Sequence, residues 1–286
     1  MISTPDTELK GRVAAANLAA YDSAGVRDYI DGAPHIKHAD LRRLYADILV
    51  DVFQAAQRRT AVPHVLDLGA GEGSVTLPLL ELGARVTAVD ISADQLAGLR
   101  SKCLKYQDRL IIHCEDITET LRRQTEKYDI IVANSFLHHI PDYLGMLQGL
   151  LPLLAANGQF FSFQDPLLYT TQSRMGRLFE KVAYATWRIG KGDVWNGLRR
   201  RMRRARGVYS PDSAYDNAEY HVVRSGVDQE AIAGLFEKAG YFCRIVRYFS
   251  TQSHIFQSIG RMAGFENTFA IVAMKASGHN RGETKS

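Results

Sequence analysis

The run His64-Val65-Leu66-Asp67-Leu68, followed at once by Gly69-Ala70-Gly71-Glu72-Gly73-Ser74, constrains this chain more than any other stretch. The first five residues follow Pro63 and have the length and apolar character of a parallel strand, and Val75 to Leu82 suits a helix. Three alternating glycines lie between them. Residues without a Cβ let the main chain turn sharply and let a ligand lie against it, while a helix start presents N–H groups with no partner inside the helix. Such a turn points to a nucleotide-type cofactor. Arg85 to Val89 is the next expected strand, and Asp90 closes it twenty-one residues after Gly69. A carboxylate there can accept hydrogen bonds from both hydroxyls of a ribose.

A glycine turn between strand and helix also has a purely structural reading, so the details decide. The spacing Gly69-x-Gly71-x-Gly73 lacks the longer Gly-x-Gly-x-x-Gly register of dinucleotide binders. Asp67, two residues before the first glycine, would repel a pyrophosphate but would suit a cationic amine. The combination favours a cofactor that carries both an ammonium group and a ribose.

On these residues the chain resembles the class I S-adenosylmethionine-dependent methyltransferases, over roughly residues 60 to 275, and within them the small-molecule enzymes of quinone and natural-product biosynthesis. The resemblance implies that S-adenosyl-L-methionine is bound and S-adenosyl-L-homocysteine released. It sets Gly69, Ala70, Gly71 and Gly73, with Asp67, against the methionine moiety, and Asp90 on the ribose. Ile91 would pack on the adenine, Gln95 would line the same rim, and Asp116 with Ile117 would border the adenine amine. Asp116 equally suits the N-cap of a helix from Thr118 to Gln124, and the two roles are compatible. After the fourth strand, Tyr128 to Ala133, comes Asn134-Ser135-Phe136-Leu137-His138-His139-Ile140-Pro141-Asp142. In the resemblance Asn134 and Leu137 border the cofactor, and His138 or His139 faces the substrate as a general base or a positioning group. Packing, or capping a helix that begins near Asp142, is the alternative for either histidine. A sulfonium is already activated, so alignment alone can supply much of the rate.

The expected fold is α/β: a Rossmann-like seven-stranded methyltransferase sheet with helices on both faces, an N-terminal helical cap and a helical insertion after the fifth strand. Further strands are expected at Leu110 to Cys114, Gln159 to Phe163, Phe242 to Phe249 and Thr268 to Met274. Helices are expected at Ser92 to Leu104, Asp142 to Ala155 and Asp228 to Ala239, with Asn157-Gly158 as a turn. In the resembled family the last strand runs antiparallel between its neighbours. The chain divides into a cap at 1–59, a methyltransferase domain at 60–275 and a polar tail at 276–286. The cap contains expected helices at Leu9 to Ala24 and Ala39 to Ala56, and its candidates for lining the site are Tyr21, Tyr29, His35 and His38. The insertion, 166–226, has expected helices at Thr171 to Ile189 and Val194 to Ala205, and it is the expected source of substrate specificity. From Trp187 to Arg206 it holds eight Lys or Arg residues against one acid, Asp193. Such a run suits an anionic surface or an acidic ligand, or else is a solvated helix face.

Composition excludes several classes. No apolar run of about eighteen residues is available to span a bilayer, and the start of the chain lacks a secretory pattern, so a cytoplasmic protein is expected. Cys103, Cys114 and Cys243 have neither metal-ligand nor disulfide-framework spacing, and no metal is expected. The favoured function is O- or C-methylation of a small aromatic or amphipathic metabolite in an enclosed pocket. The runner-up is methylation of RNA or another nucleic acid; the basic run supports it, but Asn134-Ser135-Phe136-Leu137 lacks the Asp/Asn-Pro-Pro-aromatic motif of exocyclic-amine enzymes. A nicotinamide oxidoreductase is disfavoured by the glycine register. A non-catalytic S-adenosylmethionine-binding protein is a further alternative.

Overall fold

In the computed structural model of the 286-residue chain, residues 33–190, 220–222 and 224–275 are described. Seven strands, β1 His64–Leu68, β2 Arg85–Asp90, β3 Leu110–Cys114, β4 Tyr128–Asn134, β5 Leu154–Pro166, β6 Tyr241–Tyr248 and β7 Thr268–Lys275, form one sheet in the order β3-β2-β1-β4-β5-β7-β6. The first five pair in parallel, and β7 runs antiparallel between β5 and β6. Parallel strands covered on both faces need near-continuous apolar sequence, which β1 and β4 supply.

Successive side chains point to opposite faces, so each strand feeds two cores. On one face Val65, Val86, Ile130, Val132, Phe161 and Phe163 meet α1 (Ala39–Gln57), α2 (Thr76–Leu82) and α3 (Ala93–Lys102) through Phe53, Leu79 and Leu99. On the other, Leu66, Leu68, Ile131, Phe160 and Ile271 meet α4 (Ile117–Arg123), α5 (Tyr143–Leu150) and α7 (Gln229–Lys238) through Ile117, Leu147 and Phe236. α6 (Arg174–Gly190) and α8 (His254–Met262) lie beside each other, joined by Phe179 and Phe256 at 5.3 Å between ring centroids. Among the described residues no helix is long and apolar enough to cross a membrane.

The departures from expectation have local causes. α5 stops at Leu150 because Pro152 lacks an N–H and closes a single tight turn, Leu151–Leu153. The expected turn at Asn157-Gly158 lies inside β5, where the register against β4 slips between Tyr128↔Leu154 and Ile130↔Gln159. Gly158 is needed there, since a Cβ would sit 2.9 Å from the Tyr128 carbonyl oxygen. α8 was not anticipated. The expected helices at Leu9 to Ala24 and Val194 to Ala205, and the tail, lie outside the described residues.

Candidate active site

The site is built at the carboxyl ends of β1, β2 and β4, where adjacent crossovers diverge. Gly69, Gly71 and Gly73 all adopt the left-handed backbone, with φ of +66°, +52° and +90°. At Gly69 the requirement is double, because a Cβ would also sit 2.4 Å from Cδ2 of Phe136. The N–H groups of Gly69 and Ala70 donate to the Val89 carbonyl at 2.9 and 3.0 Å, which folds the loop back over β2. Asp90 then fastens it: Oδ2 accepts from Gly71 N–H at 2.8 Å and Oδ1 from Ser92 N–H at 2.9 Å. These bonds fix the carboxylate's orientation at the strand end.

A cavity of about 320 Å³ opens beside this loop, within the size range of small-molecule sites. Gly69, Gly71, Asp90, Ile91, Gln95, Asp116, Ile117, Asn134 and His139 line it, all expected from the sequence. Asp116 also caps α4 by accepting from Thr118 N–H at 2.7 Å, so the capping role coexists with a place on the wall. Sequence reasoning missed Phe136, Ile140 and Met146, which complete an apolar side. Their only signal was proximity to the histidine pair.

Several expected residues stand elsewhere. Asp67 is fully buried behind the loop, where its Oδ2 accepts from the Thr76 hydroxyl at 2.6 Å and its Oδ1 has no hydrogen-bond partner. Burial pushes its carboxyl up to about 7, with the Asp90 charge adding to the effect and Thr76 opposing it. Asp67 therefore supports the turn from beneath and does not line the cavity. Ala70 and Leu137 are absorbed into the two cores, and Gly73 backs onto Leu99. His35 is buried with neither ring nitrogen bonded and lies edge-on to Phe163; burial lowers its pKa to about 4. His38 bonds the Thr251 carbonyl at 2.6 Å and His254 at 3.1 Å, joining the start of α1 to the start of α8. Neither of these histidines lines the cavity. Tyr21 and Tyr29 lie outside the described residues, as does the arginine cluster from 191 to 206.

The histidine pair is divided by its partners. His139 lines the cavity, whereas His138 is turned inward, with Nδ1 2.8 Å from Oδ1 of Asp165. That oxygen also accepts from the His138 backbone N–H at 3.1 Å, and Oδ2 accepts from the Ser162 hydroxyl at 2.7 Å. A bulge makes this contact. The β5–β7 register shifts between Phe163 and Asp165, and the intervening Gln164 has φ of +69°. In an unbroken strand Asp165 would share a face with Phe163; the extra residue moves it to the face of Ser162 and toward His138. Gln164 itself is held by Tyr248, whose hydroxyl lies 3.0 Å from the Gln164 backbone nitrogen.

The geometry suits a ribose-bearing cation. Asn134 lines the cavity, and its Oδ1 is buried without a hydrogen-bond partner, an acceptor that an ammonium group can satisfy. Asp90 presents a fixed carboxylate that could accept from ribose hydroxyls, and Ile91, Ile117 and Met146 form an apolar wall that would suit a planar base.

Comparison with known proteins agrees with this arrangement. Residues 66–160 match the model of a methyltransferase domain. A ubiquinone biosynthesis O-methyltransferase of Coxiella burnetii is 33% identical over 98 residues, a stretch covering 34% of this chain and 42% of that protein. The chain thus matches less than half the length of that curated relative. Among solved structures, the magnesium protoporphyrin IX methyltransferase of Synechocystis PCC 6803 with bound S-adenosylmethionine superposes with a TM-score of 0.52 at 16% identity, covering 92% of this chain and 97% of that one. The 1,6-didemethyltoxoflavin-N1-methyltransferase of Burkholderia thailandensis, solved with bound 1,6-didemethyltoxoflavin and S-adenosylhomocysteine, gives a TM-score of 0.50 at 17% identity, covering 97% of this chain and 93% of that one. Residues 66–160 thus match a methyltransferase domain, and the chain shares its fold with solved S-adenosylmethionine-dependent methyltransferases.

Proposed function

We propose that this protein methylates a small aromatic or amphipathic metabolite at oxygen. The observation that carries the reading is the cavity itself, whose wall joins the glycine loop and Asp90 to His139. Bound S-adenosylmethionine supplies an electrophilic methyl group on a sulfonium. Gly69 and Gly71 would hold the methionine moiety against bare backbone, and Asn134 Oδ1 would accept from its ammonium group. Asp90 would hold the ribose, with Ile91, Gln95, Asp116 and Ile117 around the adenine. Asp67 acts indirectly, through the turn that it props.

His139 is the candidate base that takes the hydroxyl proton. His138 is a positioning residue. A carboxylate only accepts hydrogen bonds, so Asp165 sets the His138 proton on Nδ1, and its second bond, from the His138 N–H, pins the turn on which His139 stands. The two rings are 4.0 Å apart, so a shift of one displaces the other. The segment before α1 and the insertion 166–226 would cover the site and select the acceptor. O-methylation is favoured over C- or N-methylation by the histidine on the wall and by the O-methyltransferase relative.

The test is S-adenosylhomocysteine release from S-adenosylmethionine with a panel of small phenols, carboxylates and amines, beside bulk RNA. Turnover on a phenol or other hydroxyl acceptor is the expected result. Turnover on RNA alone would transfer the reading to nucleic-acid methylation. Cofactor binding without turnover on any acceptor in a complete metabolite extract would favour a binding protein.

A further inference from the structure

The helix α6 packs inward through Gly176, Phe179 and Ala183, with the Phe179 ring 5.7, 5.3 and 5.2 Å from those of Phe249, Phe256 and Phe265. Its outer side is also apolar. Met175, Leu178, Val182, Ala185 and Ile189 follow at intervals of three and four residues, which lays them along one stripe. The four large side chains of that stripe are between 45% and 66% exposed. The neighbouring α8 repeats the pattern with Ile255, Ile259 and Met262, at 71%, 46% and 84%. Single exposed apolar side chains are ordinary, but two regular stripes on adjacent helices call for an apolar environment.

Charge narrows the choice of partner. Arg174, Arg177, Lys181 and Arg188 recur along one flank of the α6 stripe, while its single acid, Glu180, is half-buried. After Gly190 the sequence continues with seven more Lys or Arg residues against one acid through Arg206. A second copy of the chain would bring these cations against one another. A polynucleotide would satisfy them but leave the apolar stripes in water. A membrane of anionic lipids meets both demands, with acyl chains under the stripe and headgroups along the basic flank.

We infer that the outer faces of α6 and α8 dock this protein on an anionic lipid surface. The full chain should float with vesicles of phosphatidylcholine mixed equally with phosphatidylglycerol, weakly with phosphatidylcholine alone, and less as salt is raised. Leu178→Gln, Val182→Gln and Ile189→Gln together change only exposed positions, and should cut capture by at least about tenfold while leaving circular dichroism and the thermal midpoint unchanged. Arg174→Gln with Lys181→Gln, an independent pair, should weaken capture at low salt and flatten its salt dependence. No capture on the mixed vesicles, or capture that survives both sets of substitutions, would overturn the inference. So would RNA binding or dimerisation that depends on these residues while vesicles capture nothing.

Discussion

Replacing Asp67 with Asn tests whether this buried carboxyl is a support that the fold holds near neutrality. Its ordinary pKa of 3.8 rises to about 7 in the folded chain, chiefly by burial. The sign follows from proton counting: between these values the unfolded chain has lost the proton and the folded one retains it, so folding becomes less favourable as pH rises. The loss begins near the unfolded value and is complete above the folded one. At 1.36 kcal/mol per pH unit, a gap of roughly three units amounts to about 4 kcal/mol. That is a large share of the 5–15 kcal/mol by which domains are typically stable. An asparagine keeps the volume and an acceptor for the Thr76 hydroxyl but carries no charge. Urea unfolding of cofactor-free wild type and Asp67→Asn, compared from about pH 4 to about pH 8, should show the variant's relative stability climbing by about that amount and levelling off above pH 7. Thr76→Val, which removes the 2.6 Å bond favouring the ionised form, should carry the loss to higher pH at the same slope of one proton. A difference between wild type and Asp67→Asn that does not vary with pH would refute the reasoning, and one of opposite slope would show that the carboxylate has a favourable partner.

Three further outcomes are expected. Asp90→Ala removes the acceptor of two backbone N–H groups and of the proposed ribose bonds, so calorimetry should find S-adenosylmethionine affinity lower by roughly 1.5–3 kcal/mol; unchanged affinity would remove Asp90 from the site. His139→Gln should lower turnover on a hydroxyl acceptor by about 10²–10⁴-fold with cofactor affinity nearly intact, and Asp165→Asn should lower kcat without moving KM in proportion; equal activity in both variants would leave catalysis to alignment alone. His35 contributes the opposite pH trend to that of Asp67: its pKa falls from 6.5 to about 4, so stability is lost as pH drops through that window, and His35→Leu should flatten the loss by roughly 3 kcal/mol in acid unfolding.

What the sequence disclosed was local. The glycine turn, Asp90 at a strand end and the apolar runs of β1 and β4 each carry their signal within a few neighbours, and the strand order needed only the family likeness. What it hid was made by pairing between distant segments. Asp165 meets His138, 27 residues earlier, only because Gln164 bulges and reverses the facing of β5, and no residue near Gln164 announces a left-handed backbone. His35 and His38 carry polar rings that suit a site, yet tertiary packing buries one against Phe163 and spends the other on Thr251. α8 was missed although Ile255, Ile259 and Met262 recur at helical spacing. That stripe faces outward, and a short segment between two strands reads as a connector unless such spacing is sought.

The placement of β7 has a consequence for synthesis. It leaves the ribosome last of the seven strands, yet it lies between β5 and β6 and, among the described residues, supplies the only pairing of β6 in the sheet. Until residues 268–275 emerge, the edge of β5 is open and the Tyr241–Tyr248 segment has nothing to pair with. Five parallel strands can assemble on the nascent chain, but the sheet closes only after β7 has been made. This leaves an interval in which an unpaired strand edge is exposed, the period when holding by a chaperone would most affect yield.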